Sequence, residues 1–146
     1  MDILSKLSKR LRELMDEAEI KTPALGEAIH TEPSAITKFL RAERLPSADT
    51  LVKLADYFHC TTDYLLGLSD IVDERTFKQR PPFSEQIDVV IKFSQKSQYR
   101  FGIEAGISDE TFRRWRKGMN EASVETLVKI AKYLKCSVDF VLGRES

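Results

Sequence analysis

The side chains best suited to chemistry form one short cationic run, Arg113-Arg114-Trp115-Arg116-Lys117. A guanidinium is a planar fork of donors that fits a carboxylate, a phosphate or the O6/N7 edge of guanine. Lys38, Arg41 and Arg44 make a second, looser group, and Ser34 and Thr37 beside them offer hydroxyls and a methyl group. Equipment for catalysis is missing. His30 and His59 lie in separate segments and form no metal-ligand or acid–base pattern. The sequence holds no glycine-rich phosphate loop, nucleophile motif or His-Glu-x-x-His pattern. Cys60 and Cys136 stand far apart without metal-ligand spacing, and each reads as a small buried hydrophobe. The chain is therefore not expected to be an enzyme, and no catalytic residue, metal or cofactor is expected.

Positioning such a run takes a rigid element, and the elements here occur twice. Ser47-Ala48-Asp49-Thr50-Leu51-Val52-Lys53-Leu54-Ala55-Asp56-Tyr57 returns as Ser123-Val124-Glu125-Thr126-Leu127-Val128-Lys129-Ile130-Ala131-Lys132-Tyr133. The offset is 76 residues and continues without gaps to Gly67 and Gly143. Eleven of the 21 positions from Ser47 to Gly67 are identical to their partners, too many for chance, so the chain is read as two copies of one fold. Upstream the offset keeps apolar character: Leu7/Phe83, Leu11/Ile87, Leu14/Val90, Leu25/Phe101, Ile36/Phe112 and Phe39/Trp115.

Each copy reads as about five short helices, with no strand signal. In the first helix Leu4, Leu7, Leu11, Leu14 and Met15 share one face, and Lys6, Lys9, Arg10 and Arg12 take the other. Thr22 followed by Pro23 predicts an N-cap and a first-turn proline for the second helix, whose counterpart starts at Ser97-Gln98. Turns at His30-Thr31 and Gly106-Ile107 lead into third helices from Pro33 to about Arg41 and from Asp109 to about Lys117, with Phe39 and Trp115 as inward anchors. Ser47 and Ser123 are read as caps of the fourth helices, and Gly67 and Gly143 as left-handed ends of the fifth. Between the copies lies Leu68 to Pro82, where Pro81-Pro82 stops helix. Ile71, Val72 and Phe77 are too apolar for a purely solvated tether and predict docking on a domain or on another subunit.

Composition sets the frame. Hydrophobic residues make up 42% and charged residues 32%, the balance of a soluble globular protein. No apolar run approaches the ~20 residues that span a bilayer, so no membrane partner is expected. Met1-Asp2-Ile3-Leu4-Ser5-Lys6 lacks the order of a signal peptide, which predicts a cytoplasmic location. The 23 basic and 23 acidic residues cancel: residues 1–70 carry net −3, 71–80 net +1 and 81–146 net +2. No general positive field is available to draw in a polyanion, so anion binding must come from clusters on one face.

A short helix, a tight turn and a helix with a small, polar, basic outer face make the helix-turn-helix plan. On Ser97-Gln98-Tyr99-Arg100-Phe101-Gly102, Gly106-Ile107-Ser108 and Thr111-Phe112-Arg113-Arg114-Trp115-Arg116-Lys117-Gly118, the second copy resembles the lambda-repressor-like, Cro-type helix-turn-helix DNA-binding family. The first copy resembles it most over Arg44-Leu45-Pro46-Ser47-Ala48-Asp49-Thr50-Leu51 and Asp63-Tyr64-Leu65-Leu66-Gly67. The resemblance implies an all-α fold of two tandem five-helix domains, residues 1–67 and 83–146, joined by a linker over 68–82. It implies a double-stranded DNA partner and a transcription regulator, with repression the default for a small protein lacking an effector domain.

The family pattern places phosphate contacts at Thr22 and Gln98, at the start of each second helix. It puts Pro33, Ser34, Thr37, Lys38 and Arg41 toward the groove in copy one, and Asp109, Glu110, Arg113, Arg114 and Lys117 in copy two. Arg113 and Arg114 would pair with guanine or grip phosphate, while Lys38, Arg41 and Lys117 read as phosphate contacts. Asp109 and Glu110 read more readily as helix-start residues than as acceptors from cytosine. Two copies departing from each other in this way predict an imperfectly repeated site. Successive major grooves lie ~34–36 Å apart, and the 68–82 segment reaches roughly 50 Å at ~3.3–3.6 Å per residue. The alternatives are a protein-interaction module or an antitoxin, in which one copy serves homodimerisation or partner binding; the acidic first copy is the better candidate for lost DNA binding. No small-molecule ligand is inferable.

Overall fold

The computed structural model describes residues 2–73 and 77–145, and among these the backbone is helical or irregular with no strand. The chain divides into two compact units, Met1–Arg75 and Thr76–Ser146. Unit 1 holds α1 (Ile3–Glu17), α2 (Thr22–Ile29), α3 (Pro33–Leu40), α4 (Ala48–Tyr57) and α5 (Thr62–Leu65). Unit 2 holds α6 (Phe83–Ser94), α7 (Gln98–Ala105), α8 (Asp109–Arg116), α9 (Val124–Leu134) and α10 (Val138–Leu142).

Short helices need help at their ends, where four amide groups lack intrahelical partners. Asp2, Ser47 and Thr61 supply side-chain caps to α1, α4 and α5, and Ser97, Ser108, Ser123 and Ser137 do so for α7 to α10. In unit 1, α2 and α3 carry Pro23 and Pro33 in the first turn instead, and their caps Lys21 and Glu32 make no side-chain bond. Thr22 is thus the first helical residue and not the predicted cap. Lys21 has the extended backbone of the cap position (φ −96°, ψ 165°), and Pro23, one place further in, costs no intrahelical bond there.

The turns repeat more faithfully than the residues in them. Left-handed φ occurs at Glu19, His30, Ala42, His59 and Gly67 in unit 1, and at Gln95, Gly106, Gly118, Lys135 and Gly143 in unit 2. Each pair is related by the offset of 76 residues. His30 adopts φ 55° and ψ 47° where Gly106 has φ 72° and ψ 41°, so the turn between α2 and α3 keeps its geometry with a histidine in it.

Helical spacing then brings the apolar positions together. Leu7, Leu11, Leu25, Ile36, Phe39, Leu51 and Leu54 form the buried core of unit 1. Unit 2 buries aromatic rings at the matching places: Phe83 on Trp115 (5.2 Å between centroids), Phe112 on Trp115 (5.7 Å) and Phe101 on Phe112 (6.0 Å). Cys60 is buried as expected, but Cys136 is only half-buried, in the turn between α9 and α10.

Arg10 does not lie on the solvent face predicted for it. Its guanidinium covers the Tyr64 ring at 3.8 Å and donates to the Tyr64 carbonyl at 3.0 Å, with Asp70 beside it at 3.4 Å. Gln86 occupies the same repeat position and likewise donates to the Phe140 carbonyl at 3.0 Å. Both tie the first helix of a unit to a carbonyl of its fifth. The segment between the copies meets two fates. Ile71 and Val72 are exposed (72% and 45%), whereas Phe77 lies 4.3 Å under the Arg144 guanidinium. Arg144 is buried and paired with buried Asp139, and its carbonyl accepts from the Lys78 amide at 3.1 Å.

Candidate nucleic-acid interface

A helix can present a run of cations only if its other face is held. In unit 2 that face is Phe112 and Trp115, fully buried, and Ser108 caps the start through the Thr111 amide at 3.1 Å. The preceding α7 approaches closely because Gly102 faces the turn: a Cβ there would stand 2.7 Å from the Ile107 carbonyl oxygen. Gly26 meets the Thr31 carbonyl in the same way, at 2.6 Å, so the two helix pairs share one construction.

In unit 2 Asp109, Glu110, Arg113, Arg114 and Lys117 are all exposed along one side of α8. In unit 1 Pro33, Ser34, Lys38 and Arg41 are exposed and Thr37 is half-buried along α3, opposite buried Ile36 and Phe39. The Thr37 hydroxyl donates to the Pro33 carbonyl at 3.1 Å, which leaves its oxygen an acceptor only. Thr22 and Gln98 sit half-exposed at the first position of α2 and α7. Each predicted set is therefore gathered on its own unit.

The electrostatics of the two surfaces differ. Among the described residues, no carboxylate pairs with Lys38 or Arg41. Arg44 rests over the Phe39 ring at 5.6 Å. On α8, by contrast, Glu110 accepts from Arg113 Nε at 2.8 Å, from Arg113 Nη2, and from Arg114 Nε at 3.2 Å. The hydrogen bonds from Arg113, and then those from Arg114, hold the Glu110 carboxyl down at about 2, and Glu110 in turn raises the Arg113 value. The spacing of three and four residues that brings these groups together was present in the sequence, where Glu110 read as a helix-start residue.

Arg116 was read only as part of the cationic run, and the structure gives it a separate task. It turns away from the outer face of α8, donates to Asp88 on α6 at 2.7 and 3.0 Å, and bonds the Gln98 side-chain oxygen. That oxygen is thereby engaged, and the Gln98 amide NH2 is left as the outward donor. A second group lies along α7, where Glu104 accepts from Lys96 and Tyr133, and Arg100 stands 3.5 Å away. The bonds from Lys96 first and Tyr133 second lower the Glu104 carboxyl from its ordinary value.

Sequence reasoning also missed a set of exposed apolar side chains on unit 2: Val89, Phe93, Ile103 and Met119, between 50% and 62% exposed. The repeat register contains the signal, since Glu13, Glu17, Glu27 and Glu43 occupy those four positions in unit 1. Among the described residues no helix is long and apolar enough to cross a membrane, and no group of three or more His, Cys, Asp or Glu is placed to hold a metal ion.

Comparison with known proteins divides the chain in the same two places. Residues 6–65 match the family model of a helix-turn-helix domain, and residues 86–143 match that of the Cro/C1-type helix-turn-helix DNA-binding domain. A curated relative, the HTH-type transcriptional regulator ImmR of Bacillus subtilis (strain 168), is 32% identical over 65 residues, which is 44% of this chain and 51% of the relative. The chain thus spans about half the length of that protein. No solved structure gives a significant match.

Proposed function

On the premise that this chain belongs to the helix-turn-helix family through both of its domains, we propose that it is a sequence-specific double-stranded DNA-binding transcription regulator that acts as a repressor. In this reading α3 and α8 enter successive major grooves, and Thr22 and Gln98 meet the flanking phosphates. The domains are taken as residues 1–67 and 83–146, joined by 68–82. The observation that carries it is α8, with Arg113, Arg114 and Lys117 exposed on one side and Phe112 and Trp115 buried on the other. The relative's description as a transcriptional regulator supports the same class of role. Repression needs no more than occupancy of a promoter by a bound protein.

The test is a footprinting titration on DNA from upstream of the protein's own gene, at two salt concentrations. The expected result is a protected region covering two adjacent helical turns, weakened by salt. Protection of a single turn would assign one unit to another task. Failure to bind any duplex at low salt would overturn the reading. A homodimer is the second reading, and the exposed Val89, Phe93, Ile103 and Met119 are the observation that favours it. Sedimentation over a range of protein concentrations separates the two.

A further inference from the structure

Glu110 does more on α8 than start a helix. It takes the side edge of the Arg113 fork, Nε with Nη2, and a third bond from Arg114. The end edge of Arg113, Nη1 with the remaining hydrogen of Nη2, stays open to solvent on a side chain that is 47% exposed. A planar fork braced on one edge has lost most of its freedom to swing and points its other edge in a fixed direction. That edge carries two parallel donors, the arrangement that fits guanine O6 and N7. A phosphate fits it less well for a different reason. Its charge would be brought beside a carboxylate that is ionised across the whole physiological range.

We infer that Glu110 is a specificity-determining residue: it braces Arg113 for end-on pairing with guanine and makes phosphate the poorer partner of both arginines. The inference rests on the DNA-binding reading above and adds a division of labour to it. Ser34 stands at the position of Glu110 in unit 1, and Lys38 and Arg41 have no brace and no counter-charge among the described residues. Unit 1 therefore supplies grip that depends on salt and little on sequence, and unit 2 supplies discrimination.

The experiment uses the full chain. A duplex is selected from a randomised pool with the parent protein, and affinity for that duplex and for random duplex is measured across salt for the parent, Glu110→Gln, Arg113→Ala and the double variant. Glu110→Gln should raise affinity for random duplex several-fold, steepen its salt dependence by about one unit, and lower the selected-to-random ratio by about tenfold. Arg113→Ala should abolish the preference for one guanine, and adding Glu110→Gln to it should lower the ratio by less than in the parent, the remainder coming from Arg114. Helix content and thermal midpoint of Glu110→Gln should match the parent, since the position is exposed. A Glu110→Gln protein with an unchanged ratio, or with weaker binding to random duplex, overturns the inference alone. So does indifference of DNA binding to Arg113→Ala. If the parent binds neither duplex at low salt, the DNA-binding reading has failed and the inference goes with it.

Discussion

The cations of α3 and α8 differ in what they must give up to touch a polyanion. Lys38 and Arg41 give up only water, while Arg113 and Arg114 begin from bonds to Glu110. Lys38→Ala is therefore expected to lower affinity evenly across sequences and to flatten the salt slope by about one unit, read by titration at several salt concentrations. Arg114→Ala should weaken the selected duplex by about ten- to a hundred-fold if its guanidinium reaches a guanine, and random duplex much less. Acid provides an independent check. Because the folded carboxyl of Glu110 is depressed to about 2 from 4.5, it stays ionised as pH falls through the usual carboxylate range. Its small surface contribution is present above 4.5 and is lost only as pH falls toward 2. A carbon-detected titration of that side chain should show a midpoint near 2, moving up toward 4.5 in Arg113→Ala. The outward set on each third helix came from the family pattern, and helical periodicity, with Phe39 and Trp115 turned inward, agrees with it. The roles of Arg116 and Arg10 were not legible in the sequence, because their partners come from other helices: Asp88 lies 28 residues away from Arg116, and the Tyr64 carbonyl 54 from Arg10.

At the scale of elements, the turn between the second and third helices decides whether the third can present anything. His30 holds a left-handed conformation that costs an L-residue ~1–2 kcal/mol, and glycine avoids this at an entropic cost of ~0.5–1 kcal/mol. His30→Gly should thus leave unit 1 unchanged or stabilise it by up to ~1.5 kcal/mol, seen as a higher thermal midpoint. Gly102→Ala should do the reverse to unit 2, since its Cβ would stand 2.7 Å from the Ile107 carbonyl oxygen and 3.2 Å from the buried Phe112 ring. Forcing that contact apart costs ~1–3 kcal/mol by the usual penalty for overpacking, and it would displace α8 from α7. Element order, the fourth-helix caps and the core pairs could all be read from the offset of 76 residues, because burial imposes the same period on both copies. The cap of α2 could not be read from Thr22-Pro23 alone, since a threonine before a proline suits either the cap or the first turn. The repeat held the answer: Lys21, not Thr22, aligns with the capping Ser97.

For the whole molecule, the two-unit plan was legible and the fate of the segment between the copies was not. Two of its described residues meet polar side chains, Asp70 beside Arg10 and Phe77 under Arg144, and such contacts leave no period in a sequence. Arg144 and Asp139 are both about 1% exposed, so Arg144→Ala would leave a buried charge with less compensation. The expected loss is ~3–5 kcal/mol in unit 2, by analogy with other broken buried pairs. Trp115 is the chain's single tryptophan and lies in that unit's core, so its fluorescence follows unit 2 directly during denaturation. The paired left-handed turns carry one more consequence. Measured from bend to bend, both units step by 11, 12, 17 and 8 residues, from Glu19 to Gly67 and from Gln95 to Gly143. Only the last pair has glycine in both copies. What was copied is a ruler of bends whose markings are free to change letter, and a third copy elsewhere would be known by its intervals before it was known by its residues.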